Sequence, residues 1–160
     1  MRNIKACCFS GHRIDKLTGS LEAIKIELEK AIHEAILDGY NIFYHGGCNG
    51  IDLVAAELVL QFRIANPIIR LIAILPYEGQ ANNWTKEWRD RYLSVLKRCN
   101  SIITLHTNYI KGCYQERNKY MVDRSSRLIA AYNGSSSGGT RNTIKYAYEQ
   151  DIKVKIIIIP

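Results

Sequence analysis

The sequence predicts a doubly wound α/β fold, with a mostly parallel sheet and helices on both of its faces. Short apolar runs alternate with longer amphipathic segments, and this alternation is typical of parallel strands joined by helices. The short runs are apolar almost throughout, as in strands that are covered on both faces. The 160 residues contain no internal repeat and no long linker, so we expect a single domain over residues 1–160.

The first half of the chain contains three strand candidates and two helix candidates. In the first helix candidate the apolar residues recur every three or four positions, which places them on one helix face. The third strand candidate ends at Pro76, which cannot donate a hydrogen bond within a sheet. In order, the predicted elements are the strand Ile4–Phe9, the helix Ser20–Asp38, the strand Asn41–His45, the helix Ile51–Ile64 and the strand Leu71–Leu75.

The second half of the chain continues the alternation with three helices and three strands. Residues 133–139 are rich in Gly and Ser, as is typical of a loop. This stretch lies between the fifth predicted strand and the last predicted helix. The predicted elements are the helix Trp84–Lys97, the strand Ser101–His106, the helix Tyr114–Arg124, the strand Arg127–Tyr132, the helix Thr140–Gln150 and the strand Val154–Ile159.

Basic residues are concentrated in the second half of the sequence. The whole chain has 22 Lys and Arg against 15 Asp and Glu, a net charge of +7. Residues 81–160 hold 14 basic and 6 acidic residues (+8), whereas residues 1–80 hold 8 and 9 (−1). A basic half favours an anionic partner such as a nucleotide, a polynucleotide or a phosphorylated metabolite, although the same charges also solvate ordinary surface helices.

The composition is that of a globular protein, with 47% hydrophobic and 23% charged residues. No apolar run approaches the roughly 20 residues of a membrane span, and the N-terminal apolar stretch is too short for a signal peptide. The five cysteines form no C-x-x-C pair, and His45 with Cys48 lacks a second ligand pair. We therefore expect a soluble, cytoplasmic protein with no membrane partner, no disulfide framework and no metal.

Glycine-rich loops follow several of the predicted strands. Ligands of open α/β sheets bind outside the carboxyl ends of the strands, where these loops lie. Glycines there let backbone N–H groups approach a phosphate, which the next helix N-terminus also attracts, although each loop is equally compatible with a tight turn. The candidate ligand-binding residues in these loops are Ser10, Gly11, His12, Arg13, Gly46, Gly47, Asn49, Gly50, Tyr77, Gly138, Gly139 and Thr140.

Four polar residues near helix starts are further candidates. Asp52 lies in the first turn of its helix, where it either caps the helix or accepts a hydrogen bond from a ribose hydroxyl. Arg117 and Asn118 begin a short helix, and an arginine there either pins a phosphate or carboxylate or is a solvated surface residue. Glu57, about one and a half turns beyond Asp52, is an acid/base candidate or a packing residue.

Aromatic residues offer a second kind of ligand contact. Trp84 and Trp88 are four residues apart and so lie on one helix face, which usually indicates core packing and alternatively a platform for stacking a base. Tyr77, directly after Pro76, has the same two interpretations. Ser10 lies in no G-x-S-x-G motif and no paired carboxylates stand out, so binding is favoured over catalysis.

Four segments in order resemble the YpsA-like branch of the SLOG superfamily. They are GGCNGIDLVAAE (Gly46–Glu57), the LPYEGQ and RDRY region (Leu75–Tyr92), CYQERNKYMVDRSSRLIAAYNG (Cys113–Gly134) and GGTRNTIKYA (Gly138–Ala147). The resemblance covers essentially the whole chain. It implies a Rossmann-like fold, a homo-oligomer such as a homodimer, and a nucleotide or ADP-ribose-like ligand held by the loops Ser10–Arg13, Gly46–Asp52, Arg117–Asn118 and Gly138–Thr140.

The same superfamily includes the DNA-processing protein DprA and the LOG phosphoribohydrolases, and the sequence departs from both. The LOG pattern P-G-G-x-G-T-x-x-E is incomplete here, because no proline precedes Gly138, the third glycine is absent, and Thr143 stands at the glutamate position. DprA-like proteins usually carry further domains around this core. These departures argue against phosphoribohydrolase activity and against a full DNA-loading function.

The sequence therefore favours a small-molecule binding module that holds a nucleotide-derived ligand as a sensor, carrier or sink, with no certain cofactor. One alternative is a hydrolase that cleaves an N-glycosidic or phosphoester bond of a nucleotide, with Glu57 or Asp52 as the acid/base and Arg117 as the anchor. Another alternative is a DprA-like binder of single-stranded nucleic acid, which the basic second half favours.

Overall fold

The computed structural model describes residues 5–160, and six parallel strands and five α-helices alternate over this range. The strands are β1 (Ala6–Gly11), β2 (Ile42–His45), β3 (Arg70–Leu75), β4 (Ser101–Thr104), β5 (Arg127–Tyr132) and β6 (Lys153–Ile158). The helices are α1 (Leu21–Leu37), α2 (Ile51–Ala65), α3 (Lys86–Arg98), α4 (Cys113–Asp123) and α5 (Gly139–Glu149). Each of the five helices follows one of the strands, as the sequence predicts. Ile4, at the start of the predicted first strand, lies outside the described residues.

The six strands form one sheet in the order β4-β3-β2-β1-β5-β6, and every neighbouring pair is parallel. From β1 the chain moves outward through β2, β3 and β4, and it then crosses to the other side of β1 to form β5 and β6. The order therefore reverses between β1 and β5. In sheets of this kind the ligand crevice lies at such a reversal, beyond the carboxyl ends of the strands.

Successive side chains of the central strand point to opposite faces of the sheet. Cys7 and Phe9 belong to a buried cluster that also contains residues of α1, α2 and α3, whereas Cys8 packs with residues of α4 and α5. The ring of Phe9 stacks on that of Phe43 with centroids 6.0 Å apart. The doubly wound arrangement predicted from the apolar strands is confirmed, with three helices on one face and two on the other.

The start of α3 differs from the prediction, because the helix begins at Lys86 and not at Trp84. Thr85 caps it, since its side-chain oxygen accepts a hydrogen bond from the Trp88 backbone N–H at 3.5 Å. Trp84 therefore precedes the helix and meets the ring of Tyr92 edge-on at 5.2 Å, and Trp88 is buried in the core. Both tryptophans pack against the core, which confirms the core-packing interpretation.

Two smaller differences concern the ends of elements. A single 3-10 turn over Ile14–Lys16 follows β1, and no pattern in the sequence predicted it. Strand β4 ends at Thr104, two residues earlier than expected. Among the residues that the structure describes, none of the helices combines the length and apolar character required to cross a bilayer.

Helix α1 allows a matched test of core packing. Leu28 is fully buried against the sheet, whereas Leu37 on the same helix is 73% exposed. We expect Leu28→Ala to lower the free energy of unfolding by about 2–5 kcal/mol, because it leaves a cavity in the core. Leu37→Ala should change it by less than about 0.5 kcal/mol. Urea unfolding of both variants checks this, and equal effects would contradict the packing of α1 described here.

Candidate functional site

A cleft of about 510 Å³ lies at the carboxyl ends of β1 and β5. Its walls come from the loop after β1, the loop before α2 with the first turn of that helix, the first two turns of α4, and the loop that leads into α5. The lining residues are Phe9, Ser10, Gly11, His12, Arg13, Asp15, Lys16, Cys48, Asp52, Tyr114, Arg117, Asn118, Asn133, Ser135, Ser137, Gly138, Gly139 and Thr140. The cleft thus lies where the strand order reverses.

The loops after β1 and β2 are joined to each other. Arg13 and Gly50 form an antiparallel bridge, and the Ile51 N–H donates to the His12 carbonyl at 3.4 Å. Gly50 has a φ of +103°, and a Cβ there would lie 2.7 Å from the His12 carbonyl oxygen. A Cβ on Gly11 would lie 2.3 Å from the side chain of Ile51. These two glycines therefore allow the two loops to approach each other.

Arg117 reaches the floor of the cleft and is only 3% exposed. Its guanidinium donates to the Gly46 carbonyl oxygen, to Asn118 Oδ1 at 2.8 Å and to Cys48 Sγ at 3.4 Å. A Cβ on Gly46 would overlap the guanidinium, so only glycine at this position admits it. Hydrogen bonds to three partners offset the cost of burying this charge.

Asp52 lies beside Arg117 and is also buried. Its carboxylate accepts a hydrogen bond from the Cys48 backbone N–H at 3.3 Å, across the start of α2. Burial raises the pKa of Asp52, and the nearby Arg117 and backbone N–H groups partly oppose this shift. Asp52 does not cap α2, which has no side-chain cap among the described residues; its carboxylate links the preceding loop to the helix, and it also lines the cleft.

Two largely buried residues place hydroxyl groups at the cleft. Ser10 at the end of β1 is 7% exposed and Thr140 in the first turn of α5 is 5% exposed. Neither hydroxyl has a protein hydrogen-bond partner within residues 5–160. A hydroxyl that lines a cleft and has no protein partner is free to form hydrogen bonds with water or a ligand.

The N-terminus of α5 faces the same space. Gly138, with a φ of +113°, precedes the helix, and within the described chain no side chain caps it and no acidic residue occupies its first turn. The first N–H groups of a helix have no partner within it and carry a partial positive charge. A Cβ on Gly139 would meet nothing within 4 Å, so the backbone there is open to the cleft.

His12 and Arg13 each contact an aromatic ring. The Arg13 guanidinium lies 4.5 Å from the centroid of the Tyr114 ring, and the His12 ring stacks on Tyr132 at 6.3 Å. The Asn133 N–H donates to His12 Nε2 at 3.3 Å. Burial lowers the pKa of His12, which favours the neutral ring. Arg13 is therefore the charged member of this pair.

The structure places the other candidate residues outside the lining of the cleft. Gly46, Gly47 and Gly50 shape the loops behind it, and Tyr77 contacts Tyr114. Glu57 forms a two-pronged ion pair with Arg91 at 3.1 and 2.5 Å. The side-chain oxygen of Asn49 is buried without a hydrogen bond among the described residues. Across the same range, His, Cys, Asp and Glu form no group of three or more that could hold a metal ion.

Residues 8–159 match the family model YpsA, described as the YspA SLOG family. This chain is a member of that family. A SPbeta prophage-derived protein of Bacillus subtilis strain 168, YoqJ, is 32% identical over 117 residues, which cover 66% of this chain and 68% of YoqJ. A UPF0398 protein of Bacillus pumilus is 25% identical over 130 residues, or 80% of this chain and 70% of its own length. The resemblance based on four sequence segments is confirmed.

Among solved structures, the SLOG chain is similar to DNA processing protein A from Helicobacter pylori, described for its single-stranded DNA binding mode. The TM-score is 0.64 at 17% identity. The match covers 94% of this chain but 64% of the length of the other. At this level of identity the likeness concerns the fold, and it confirms the Rossmann-like arrangement.

Several lining residues were not among the sequence candidates. Asp15 and Lys16 lie in the unpredicted 3-10 turn, directly after the motif Ser10–Arg13. Tyr114 and the serines at 135 and 137 also line the cleft, as does Cys48, which lies within the expected ligand loop Gly46–Asp52. Asp15 and Lys16 were accessible to prediction, because extending the first loop up to the next helix would have included them. Tyr114 becomes recognisable only through its contact with Arg13.

His45, at the end of β2, supplies a pH test of this region. It is fully buried, it accepts a hydrogen bond from the Gly47 N–H at Nδ1 (3.1 Å), and its Nε2 lies 3.4 Å from Cys99 Sγ. Burial, with a smaller effect of Arg117, lowers its pKa from 6.5 to about 3. The unfolded chain therefore takes up this proton at a higher pH than the folded chain does, and stability is lost as the pH falls.

We expect His45 to make the free energy of unfolding fall by up to about 1.4 kcal/mol per pH unit between roughly pH 6 and pH 3. His45→Asn, whose amide oxygen can replace Nδ1, should flatten this dependence. The exposed His33→Asn should leave it unchanged. Urea unfolding at a series of pH values measures the three slopes, and equal slopes for the wild type and His45→Asn would refute the role of His45.

Proposed function

We propose that this SLOG protein binds a nucleotide or nucleotide-derived small molecule, of the ADP-ribose kind, and acts as a sensor, carrier or sink. The observation that carries the proposal is the pair of unpartnered hydroxyls of Ser10 and Thr140, which line the cleft beside the uncapped N-terminus of α5. Hydroxyls and free backbone N–H groups at a helix N-terminus together form a typical phosphate site.

The charge of the cleft supports an anionic ligand. Arg13, Lys16 and Arg117 line it against two carboxylates, those of Asp15 and Asp52. The partial positive charge of the α5 N-terminus adds to this surplus. Because a phosphate is repelled by a carboxylate, we place it at the α5 end of the cleft, away from Asp52.

The size and the acidic side of the cleft favour a nucleotide over a free phosphate. A volume of about 510 Å³ is within the range of sites for cofactors and drug-sized ligands, and a phosphate alone would leave most of it empty. Asp52 and Asn118 offer acceptors for sugar hydroxyls. We therefore assign Asp52 to the ribose.

Single-stranded nucleic acid is the second candidate. The DNA processing protein A that resembles this fold is described as a single-stranded DNA binder, and residues 81–160 carry a net charge of +8. If an oligonucleotide is the partner, its affinity must fall steeply with salt, because phosphate contacts release counterions. A mononucleotide held in the cleft makes fewer phosphate contacts and should show a much weaker salt dependence.

A thermal-shift screen of the purified protein tests the proposal. The panel contains AMP, NAD, ADP-ribose, cyclic nucleotides and a short single-stranded oligonucleotide, and chromatography of the same samples detects any bond cleavage. A ligand at about 100 times its Kd adds about 2.7 kcal/mol of stability, a shift of several degrees. We expect a shift with a small nucleotide that is absent in Gly139→Val, because position 139 lines the cleft and a Cβ there meets nothing within 4 Å. A shift with the oligonucleotide alone would reject the small-molecule proposal.

Two threonines of α5 provide a matched test of the phosphate position. Thr140→Val removes a hydroxyl without a protein partner, so we expect about 10-fold weaker nucleotide binding and an unchanged Tm. Thr143→Val removes a hydroxyl that donates to the Gly139 carbonyl at 2.8 Å, so it should lower the Tm and affect binding less. Isothermal titration and thermal unfolding separate the two effects. Unchanged affinity in Thr140→Val would show that the phosphate does not lie at this helix.

A further inference from the structure

Three tyrosines form a cluster next to the cleft, which we call the tyrosine platform (Tyr77, Tyr109 and Tyr114). The ring of Tyr77 meets those of Tyr109 and Tyr114 edge-on, with centroids 5.7 and 6.0 Å apart. Tyr109 and Tyr114 are 6.4 Å apart. The Tyr114 hydroxyl donates to the Tyr77 hydroxyl at 3.4 Å, so the polar ends of these two side chains satisfy each other.

The platform is continuous with the proposed ligand cleft. Tyr77 follows β3 and Tyr109 follows β4, so both lie at the same edge of the sheet as the cleft. Tyr114 lines the cleft itself, with the Arg13 guanidinium over its ring at 4.5 Å and that of Arg117 at 5.7 Å. The same ring therefore contacts the cations of the cleft and the outer tyrosines.

Tyr109 contributes little to the buried core. It is 59% exposed, and the next residue, Ile110, is also more than half exposed. By contrast, Tyr40 and Tyr92 are buried and belong to the core. An aromatic ring that is open to solvent and held by two other rings, one of which lines the cleft, is suited to stacking a flat ligand group.

We propose that the tyrosine platform is the nucleobase subsite of the ligand, with the base stacked on the open ring of Tyr109. This inference rests on the proposed function, and it adds that the ligand carries a base at the β3–β4 side of the cleft. The platform offers ring faces more than hydrogen-bonding groups. It therefore distinguishes ligands with a base from ligands without one, and it discriminates weakly among bases, because every base has a π-face.

The test compares AMP, ADP-ribose and ribose 5-phosphate by isothermal titration against the wild type and three variants. We expect Tyr109→Ala to weaken the binding of AMP and ADP-ribose about 5- to 100-fold, the range of base–aromatic stacking. Its affinity for ribose 5-phosphate should equal that of the wild type. Tyr109→Phe should bind all three ligands normally, because stacking needs no hydroxyl. Tyr148→Ala, a comparably exposed tyrosine near the C-terminal end of α5, should also be neutral.

The outcomes separate this inference from the proposed function. If AMP and ADP-ribose bind the wild type and Tyr109→Ala equally, the platform is not the base subsite, although the cleft remains a nucleotide site. If Tyr109→Ala weakens ribose 5-phosphate as much as AMP, Tyr109 acts through the shape of the cleft and the inference is overturned. If the wild type binds none of the three ligands, the proposed function fails and the subsite fails with it.

Discussion

The rest of the site depends on the hydrogen bonds of the buried Arg117 guanidinium. A charge that is almost completely removed from water requires hydrogen bonds, and this chain supplies them from Gly46, Cys48 and Asn118. Holding the guanidinium in this position constrains the residues around it. Residue 46 must be a glycine, the loop before α2 must curve around the arginine, and the Asp52 carboxylate is held close by. The same residues therefore determine both the shape of the loop and the charge of the cleft.

This arrangement means that stability and binding are not separable at Arg117. Removing one partner of a buried charge leaves the others desolvated and unpaired, which is why such changes are costly. Ser10 and Thr140 differ in this respect, because their hydroxyls support no other protein group among the described residues. The cleft thus contains Arg117, whose hydrogen bonds the fold needs, and the hydroxyls of Ser10 and Thr140, which the fold does not use. Ligand binding is best tested by substitutions at Ser10 and Thr140.

The fold was predictable from the sequence because local patterns determine it. Apolar runs and three-and-four spacing give all six strands and five helices of the described range with small errors at their ends, such as Trp84 lying before α3. The loops that form the cleft were predictable from their place after the strands. The sequence did not reveal why these loops need glycines. Gly11 makes room for Ile51 and Gly46 makes room for Arg117, and both partners come from other parts of the sequence. The contact between Tyr109 and Tyr77 has the same origin, since only the fold brings these two rings together.

The strand order has a consequence for folding. Ser10 and Thr140 are distant in sequence and line the same cleft only because β5 pairs with β1, while Asp52 and Arg117 reach the same space through α2 and α4. Contacts of such sequence separation form only after long loops have closed, which carries a large entropic cost. The cleft therefore exists only when the central part of the sheet is assembled. Hydrogen exchange at its walls would report the cooperative opening of the whole domain and not the fraying of one loop.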